Sequence, residues 1–370
     1  MTTDRPFASS ISRRTALKGA AGAIAGATAL SASLAQASTG RAPFYANLRQ
    51  DNGEVNTYTW YEPWLDEILP MFEEETGIKV NRLGTYSRND EWWARLQAGD
   101  DFDFFLPSAD WAERALKADL LQPLDLSLIP NTENLSEDFR EIEALTKDGE
   151  QYAQAFAREI YCLAWNTGVI TEAPTSWEIT WDEQYEGRIT LYDQASARVG
   201  TTALYLGQDP FNPDDWDAIR EAMAEQHQLI SKYWVDYQVG MEMFINEEVD
   251  LGQISDGRVR MANGLGATLA YTVPEEGALV ALDTLAIPAA AQNVENAHTL
   301  IDFIQRPEIN ALQMTIMGYD SSNKAAHDSL DPEVEATFAI PEGSDLRVLR
   351  DFDPQVRTQM EELWTEVQLS

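Results

Sequence analysis

The stretch VNTYTWYEPWLDEILPMFEEETGIKV, residues 55–80, decides the fold. Residues 55–60 have the alternation of a strand, and residues 66–75 have the spacing of an amphipathic helix. Gly77 follows the last turn of that helix as a C-terminal stop, and residues 78–80 begin a second strand. The pattern predicts a strand–helix–strand unit.

The same alternation continues along the chain. Helices are predicted at residues 90–97 and 109–118, with a strand at 102–106 between them, and a second α/β unit begins near Tyr161. Such alternation implies mostly parallel sheets covered by helices. Since no flexible linker separates the two units, we expect the chain to cross between two lobes as paired strands, the way hinged clefts are built.

The composition excludes several partners. The chain of 370 residues has a formal net charge of −36, so nucleic acid and anionic lipid are poor partners. The charge would attract a cationic ligand, but a surface suited to a salty habitat explains it equally well. After residue 37, no segment has the run of about 20 apolar residues that a membrane-spanning helix requires, so we expect a soluble mature protein.

Patterns typical of enzymes and metal sites are missing from the sequence. The three histidines are isolated, and the single cysteine, Cys162, lies in an apolar run and is predicted to be buried. No HExxH, CxxC, GxSxG or phosphate-binding loop occurs. We therefore expect a protein that is not an enzyme and that uses no cofactor and no metal ion.

The first residues have the pattern of a targeting signal. Paired arginines in SRRTALK, residues 12–18, precede a weakly apolar run that ends at Leu34, and Ala35-Gln36-Ala37 offers a small-residue cleavage site. We predict a twin-arginine signal peptide over residues 1–37, an N-terminal extension over residues 38–53, and localisation in the periplasm.

A family resemblance begins with two blocks of the opening stretch, Tyr58-Thr59-Trp60-Tyr61-Glu62 and residues 72–80. These blocks and their spacing resemble the start of the bacterial spermidine/putrescine-binding proteins. The resemblance continues in order through Leu106-Pro107-Ser108, Leu251-Gly252-Gln253, residues 282–288, Met317-Gly318-Tyr319 and residues 323–326. It covers nearly the whole chain after the leader, although the second block alone occurs in many binding proteins.

The resemblance implies a type II periplasmic binding protein, an α/β fold in which two lobes close over a ligand. The implied division is a first lobe over residues 54–160, a second over 161–282, a return to the first over 283–320, and a C-terminal segment over 321–370 that packs mainly on the second. The implied cargo is putrescine, spermidine or a related cationic amine. The implied partners are permease subunits of an ABC importer in the inner membrane, and a monomer is expected.

The resemblance also implies ligand contacts, in which aromatic rings lie against the methylene chain and carboxylates meet the ammonium ends. The matching positions are Trp60, Ser108, Asp193, Asp283, Tyr319 and Asp353. Asp283 is favoured most, because a carboxylate in an apolar strand is costly unless it is paired. For Trp60 and Tyr319 a place in the core is the alternative.

Four positions depart from the family's aromatic pattern, and there the chain has Pro63, Asp110, Ser255 and Ala281. Asp110 and the neighbouring Asp256 add carboxylates, while Tyr61, Trp64 and Trp111 could partly restore the aromatic walls. Capping of the helix that begins near Trp111 is the alternative role of Asp110. The exchange favours a shorter cation, or one with more polar groups, over a copy of a spermidine site.

Two other interpretations stay open. The same fold could carry an amino-acid derivative, a guanidino compound, a sugar or a phosphonate, and an anionic cargo would find Arg198, Arg258 or Arg260 near the cleft. The second is an extracytoplasmic enzyme, or a carrier that feeds a membrane receptor, built on the same two lobes.

Overall fold

The computed structural model describes residues 53–60 and 63–370. The predicted signal peptide and nearly all of the predicted N-terminal extension lie outside the described residues, as do Tyr61 and Glu62. No helix in the described ranges combines the length and the apolar character needed to cross a membrane. The same part of the chain contains no group of three or more His, Cys, Asp or Glu side chains that could hold a metal ion.

The described residues form strands and helices in alternation along most of the chain. The strands are β1 Glu54–Trp60, β2 Lys79–Tyr86, β3 Thr146–Lys147, β4 Glu150–Gln151, β5 Ala153–Asn166, β6 Ile189–Tyr192, β7 Ile230–Trp234, β8 Leu251–Ser255, β9 Leu269–Thr272, β10 Ala278–Ala286, β11 Asp320–Ser321 and β12 Leu346–Val348. The helices are α1 Pro63–Thr76, α2 Asn89–Ala98, α3 Ala109–Lys117, α4 Glu137–Arg140, α5 Ala195–Tyr205, α6 Trp216–His227, α7 Tyr237–Ile245, α8 Asp256–Gly264, α9 Val294–Ile304, α10 Pro307–Met317, α11 Lys324–His327, α12 Pro332–Glu335 and α13 Pro354–Gln368.

The predicted strand–helix–strand unit at the start of the first lobe is confirmed. β1 and β2 pair in parallel, and α1 connects them. The apolar face of α1, including Trp64 and Phe72, is buried in a core that it shares with α9 and α10. Phe72 meets Phe303 of α9 edge to face, with ring centroids 5.4 Å apart. Burying one such side chain contributes about 1.5–3 kcal/mol, so this core ties the return segment to the start of the lobe.

The second lobe is built on a larger sheet with the strand order β12-β10-β5-β8-β6-β7. β6 pairs in parallel with β7 and β8, whereas β5 runs antiparallel to β8. α7 begins three residues after β7 ends, at Tyr237. The end of β6 and the start of α7 therefore come to the same edge of the sheet, where ligands of open α/β sheets commonly bind.

β5 and β10 join the two lobes, as expected, and we call them the crossing pair. They run antiparallel, with register from Ala286 to Val280 on β10. β5 then continues into the second lobe, where residues 161–165 pair with β8. The register of the crossing pair shifts between Asp283 and Thr284, which marks a local bulge in β10.

The C-terminal segment divides between the lobes. α13 packs on α5 and α6 of the second lobe, with Leu363 and Trp364 in their shared core. Before α13, the chain packs instead on α10, through Ala326, Leu330 and Phe338. The exact boundaries of the lobes stay a prediction.

Candidate functional site

Three tyrosines of the second lobe converge beside the crossing pair, and we call Tyr161, Tyr192 and Tyr237 the tyrosine cage. Tyr161 lies on β5, Tyr192 ends β6 and Tyr237 begins α7. The hydroxyl oxygens of Tyr161 and Tyr237 are 2.9 Å apart, and the ring centroids of Tyr161 and Tyr192 are 5.6 Å apart. Tyr192 also stacks on the buried Trp234 at 4.1 Å. Neighbouring rings therefore fix the orientation of the cage.

Burial keeps the hydroxyls of the tyrosine cage protonated. It raises the pKa of Tyr161 and Tyr237 well above the usual value for a phenol, and it raises the pKa of Tyr192 as well. The charge of the Glu159 carboxylate raises all three pKa values further. The rings stay neutral, and they present the negative faces that attract a cation.

Glu159 is a buried carboxylate on the crossing pair. It lies directly opposite Ala281 of β10 and is 7% exposed. Directly paired residues of antiparallel strands share a face, so Asp283, two residues beyond Ala281, lies on the face of Glu159 at a diagonal distance of about 7–8 Å. The backbone of Asp283 also bridges to Ser108, which places the Pro-Ser turn at the same end of the sheet. Since Ala281 stands where the resemblance implies a tryptophan, no ring from that position covers Glu159.

Asp110 adds a carboxylate from the first lobe. It is partly buried in the first turn of α3, behind Ser108 at the N-cap. Burial raises the pKa of Asp110 to about 6, although hydrogen bonds from Ser108 and from the backbone N–H of Trp111 oppose the shift. The charge of Asp110 contributes to the raised pKa of Tyr161 and Tyr192, so the first turn of α3 lies within electrostatic range of the tyrosine cage.

Some of the aromatic residues predicted to line the cleft lie outside the described residues. Trp60 ends β1 and packs edge to face on Tyr86, with ring centroids 4.5 Å apart. The Nε1 of Trp60 is buried and has no hydrogen-bond partner among the described residues. Trp111 packs on Trp92 inside the first lobe, at 5.9 Å between ring centroids. Tyr61 lies outside the described residues.

Tyr319 and Arg258 connect the return segment to the tyrosine cage. Tyr319 is 5% exposed and belongs to the core of the first lobe. Its ring lies against Gly257, where an added Cβ would come within 2.3 Å of the ring, so only glycine fits there. The guanidinium carbon of Arg258 lies 5.4 Å from the ring centroid of Tyr319 and 5.5 Å from that of Tyr237. A cation of the protein therefore lies between the two rings.

Asp256 is engaged by neighbouring groups of the protein. This residue is 1% exposed, and its Oδ1 accepts a hydrogen bond from the Ile160 backbone N–H at 2.9 Å. Its Oδ2 accepts from Nη2 of Arg260, also at 2.9 Å. These contacts fasten α8 to β5, and a role of Asp256 in ligand binding stays a prediction.

Two other predicted carboxylates support the C-terminal helix, a role that the sequence does not predict. The Oδ1 of Asp193 accepts hydrogen bonds from Nε1 of Trp364 at 2.8 Å and from Nε2 of Gln368 at 2.9 Å. Asp353 is exposed and caps α13, accepting a hydrogen bond from the Gln355 backbone N–H at 2.8 Å. The Asp193 contacts anchor α13 to the second lobe, whereas the Asp353 contact caps the start of the helix.

Sequence reasoning missed Glu159 and the three residues of the tyrosine cage. Glu159 carried the same signal as Asp283, since it interrupts the long apolar run of β5 and a buried charge is costly unless it is compensated. The tyrosines carried no comparable signal, because their convergence depends on how β5, β6 and α7 are arranged in space.

A charged contact joins the lobes near Asp110, and we call Glu113, Lys117, Asp351 and Arg357 the interlobe latch. Glu113 and Lys117 lie on α3, and Asp351 precedes α13. Asp351 pairs with Lys117 at 3.0 Å and with Arg357 at 2.6 Å. The backbone N–H of Asp351 donates to Oε2 of Glu113 at 2.8 Å. The latch stabilises an arrangement in which α3 and α13 are close together.

Comparisons with known proteins give a consistent result. A model of the bacterial extracellular solute-binding protein family matches residues 67–342. Spermidine/putrescine-binding periplasmic protein 1 of Haemophilus influenzae is 30% identical over 302 residues, which cover 80% of this chain and 82% of the relative. The spermidine/putrescine-binding periplasmic protein of Escherichia coli is 29% identical over 288 residues, covering 77% of this chain and 82% of the relative.

A solved structure extends the comparison to the fold. A putative spermidine/putrescine ABC transporter from Listeria monocytogenes superimposes with a TM-score of 0.76 at 23% identity, covering 86% of this chain and 99% of the other. The two-lobed α/β fold is thereby confirmed, and the family and curated relatives confirm the resemblance found in the sequence.

Proposed function

The chain belongs to the bacterial extracellular solute-binding protein family, and on this premise we propose that it captures a small amine in the periplasm for an ABC importer. The proposed cargo is a polyamine such as putrescine or spermidine, or a related cationic amine. Relatives named for spermidine and putrescine support this class. The observation that carries the proposal is Glu159, a carboxylate buried beside three tyrosines.

The chemistry of the site suits an ammonium group. An ammonium that leaves water must find an opposite charge, and Glu159, Asp283 and Asp110 supply it from the crossing pair and α3. Each contact between an ammonium and a ring contributes about 0.5–2 kcal/mol, so several contacts must act together. The methylene groups of the cargo would lie against the rings of the tyrosine cage and leave water there.

Lobe closure would be the signal for the importer. The crossing pair allows the lobes to hinge, because few other strands connect them. The cargo would contact groups from both lobes at once, and it would therefore favour the closed arrangement that the interlobe latch also stabilises. Permease subunits would then recognise the closed form.

The export route, the cellular location and the oligomeric state also belong to the proposed function. We propose export through the twin-arginine pathway, with a signal peptide over residues 1–37, and a monomeric carrier in the periplasm. We also propose that the protein is not an enzyme, in keeping with a family of solute carriers.

Isothermal titration calorimetry of the mature protein tests the proposed cargo. Putrescine, spermidine and monoamines of equal chain length form the test panel, and a neutral sugar of similar size is the control. We expect saturable binding of one amine per chain and no heat with the sugar. Binding of the sugar, with no amine bound at millimolar concentration, would refute the amine assignment.

A further inference from the structure

Arg198 is a charged side chain buried inside the second lobe, at the end of the first turn of α5. The residue is 1% exposed, and none of its Nε, Nη1 and Nη2 atoms has a hydrogen-bond partner among the described residues. Burial lowers the pKa of Arg198 to about 10, so the guanidinium still carries its charge at neutral pH. Buried donors nearly always have partners in folded proteins, and a buried charge without one is costly.

The polar groups nearest to Arg198 are engaged elsewhere. The charge of Asp193 acts on Arg198, but its Oδ1 accepts hydrogen bonds from Nε1 of Trp364 at 2.8 Å and from Nε2 of Gln368 at 2.9 Å. Tyr233 also acts on Arg198, and its hydroxyl oxygen lies 3.1 Å from Nδ1 of a histidine, at position 227. The described residues therefore supply negative charge at a distance and no acceptor in contact with the guanidinium.

Two other buried polar groups on α5 are in the same condition as Arg198. Gln194 lies four residues before it and Thr202 four residues after it, and residues four apart share a face of a helix. Oε1 of Gln194 and Oγ1 of Thr202 are buried and have no hydrogen-bond partner among the described residues. This row of side chains needs an acceptor for the guanidinium and the Thr202 hydroxyl, and a donor for the amide oxygen.

We propose that Arg198 forms a buried site for a small monovalent anion, such as chloride, at the start of α5. The anion accepts hydrogen bonds from the guanidinium and from the hydroxyl of Thr202, while an accompanying water molecule donates to Oε1 of Gln194. A small ion suits the site better than an extended oxyanion, because α5 is enclosed by the core that it shares with α13. The site is independent of the cargo, and it stabilises the second lobe by binding only the folded chain.

Thermal unfolding at different chloride concentrations tests the site. Sodium gluconate, whose anion is much larger than chloride, keeps the ionic strength constant. We expect the Tm to rise by about 2–4 °C for each tenfold increase in chloride above its Kd. Arg198→Met keeps the length of the side chain and removes its charge, so the Tm of this variant should not depend on chloride. Arg347→Met removes an exposed arginine of β12 and should keep the wild-type response.

Crystals of the wild-type protein grown in sodium bromide give a measurement that needs no variant. Anomalous scattering should locate a bromide ion in contact with the guanidinium of Arg198 and the hydroxyl of Thr202. Water alone beside the guanidinium would refute the anion site, and so would a dependence of the Tm on chloride that is equal in the wild-type protein and in Arg198→Met. Neither result affects the amine carrier, which calorimetry with the cargo tests separately.

Discussion

Replacing Glu159 with glutamine removes one negative charge from the site with little change in shape. Glu159 is 7% exposed and lies on the crossing pair, beside Asp283 and within reach of the tyrosine cage. In such a buried position, loss of one partner of a charge pair costs about 2–5 kcal/mol, whereas an exposed pair is worth about 0–1 kcal/mol. We therefore expect the Kd for the bound amine to rise about 30-fold at the least, and by several thousandfold at the upper limit.

The expected loss comes from charge and not from a cavity. Glutamine has nearly the volume of glutamate, so the cavity that follows a large-to-small substitution does not form. Because no cavity forms, we expect only a small change in the thermal stability of the unliganded protein. Affinity and stability are thus expected to move independently, which a general defect in folding would not produce.

Calorimetry with the amine that the wild-type protein binds most tightly provides the measurement. Glu172→Gln is the matched control, since Glu172 is exposed and lies outside the site. A change in Kd below about threefold for Glu159→Gln, which is less than 1 kcal/mol, would mean that this carboxylate does not meet the ammonium. The same result for Asp283→Asn would leave the crossing pair without a role in binding.

Three other perturbations have definite outcomes. Burial raises the pKa of Asp110 to about 6, above its unfolded value of 3.8. The protonated carboxyl therefore stabilises the folded protein at low pH, and this stabilisation is lost as the pH rises from 3.8 towards 6. The affinity for an amine should increase over the same pH range, because the carboxylate becomes ionised. Asp110→Asn should reduce the pH dependence of the Tm, measured by thermal unfolding, and that of the amine affinity, measured by calorimetry. Gly257→Ala should displace Tyr319, because its Cβ would lie 2.3 Å from the ring, and should weaken cargo binding and lower the Tm. Asp351→Asn weakens the interlobe latch and should increase the radius of gyration of the unliganded protein in small-angle X-ray scattering.

The framework of the fold follows from local sequence patterns. The opening unit is predictable because strand alternation, helix spacing and Gly77 all act within a few residues. In the structure Gly77 has a φ of 69°, in the left-handed region that glycine adopts readily and other residues rarely do. The crossing of the chain as paired strands is predictable for a similar reason, because two compact units without a linker leave few other connections.

The site is harder to predict, since it depends on contacts between distant parts of the chain. The hydrogen bond between Asp256 and the N–H of Ile160 joins residues that are 96 positions apart, so the sequence does not predict it. The same holds for Asp193, which is 171 positions from Trp364. In a chain this acidic, the residue type alone does not distinguish a carboxylate that anchors a helix from one that binds a cationic ligand.

The raised pKa of Asp110 connects ligand binding with closure of the lobes. We expect closure of the lobes to move this carboxylate from water towards the tyrosine cage, and the burial that raises its pKa to about 6 disfavours the ionised form. An ammonium in the cleft cancels that cost only when the lobes are closed, because Asp110 belongs to the first lobe and the tyrosine cage to the second. To change a population from 1% to 99% closed, a ligand must favour the closed state by about 5.5 kcal/mol. Contacts with Glu159, with Asp110 and with two or three rings together reach that magnitude, whereas contacts with one lobe alone would bind the cargo without closing the cleft.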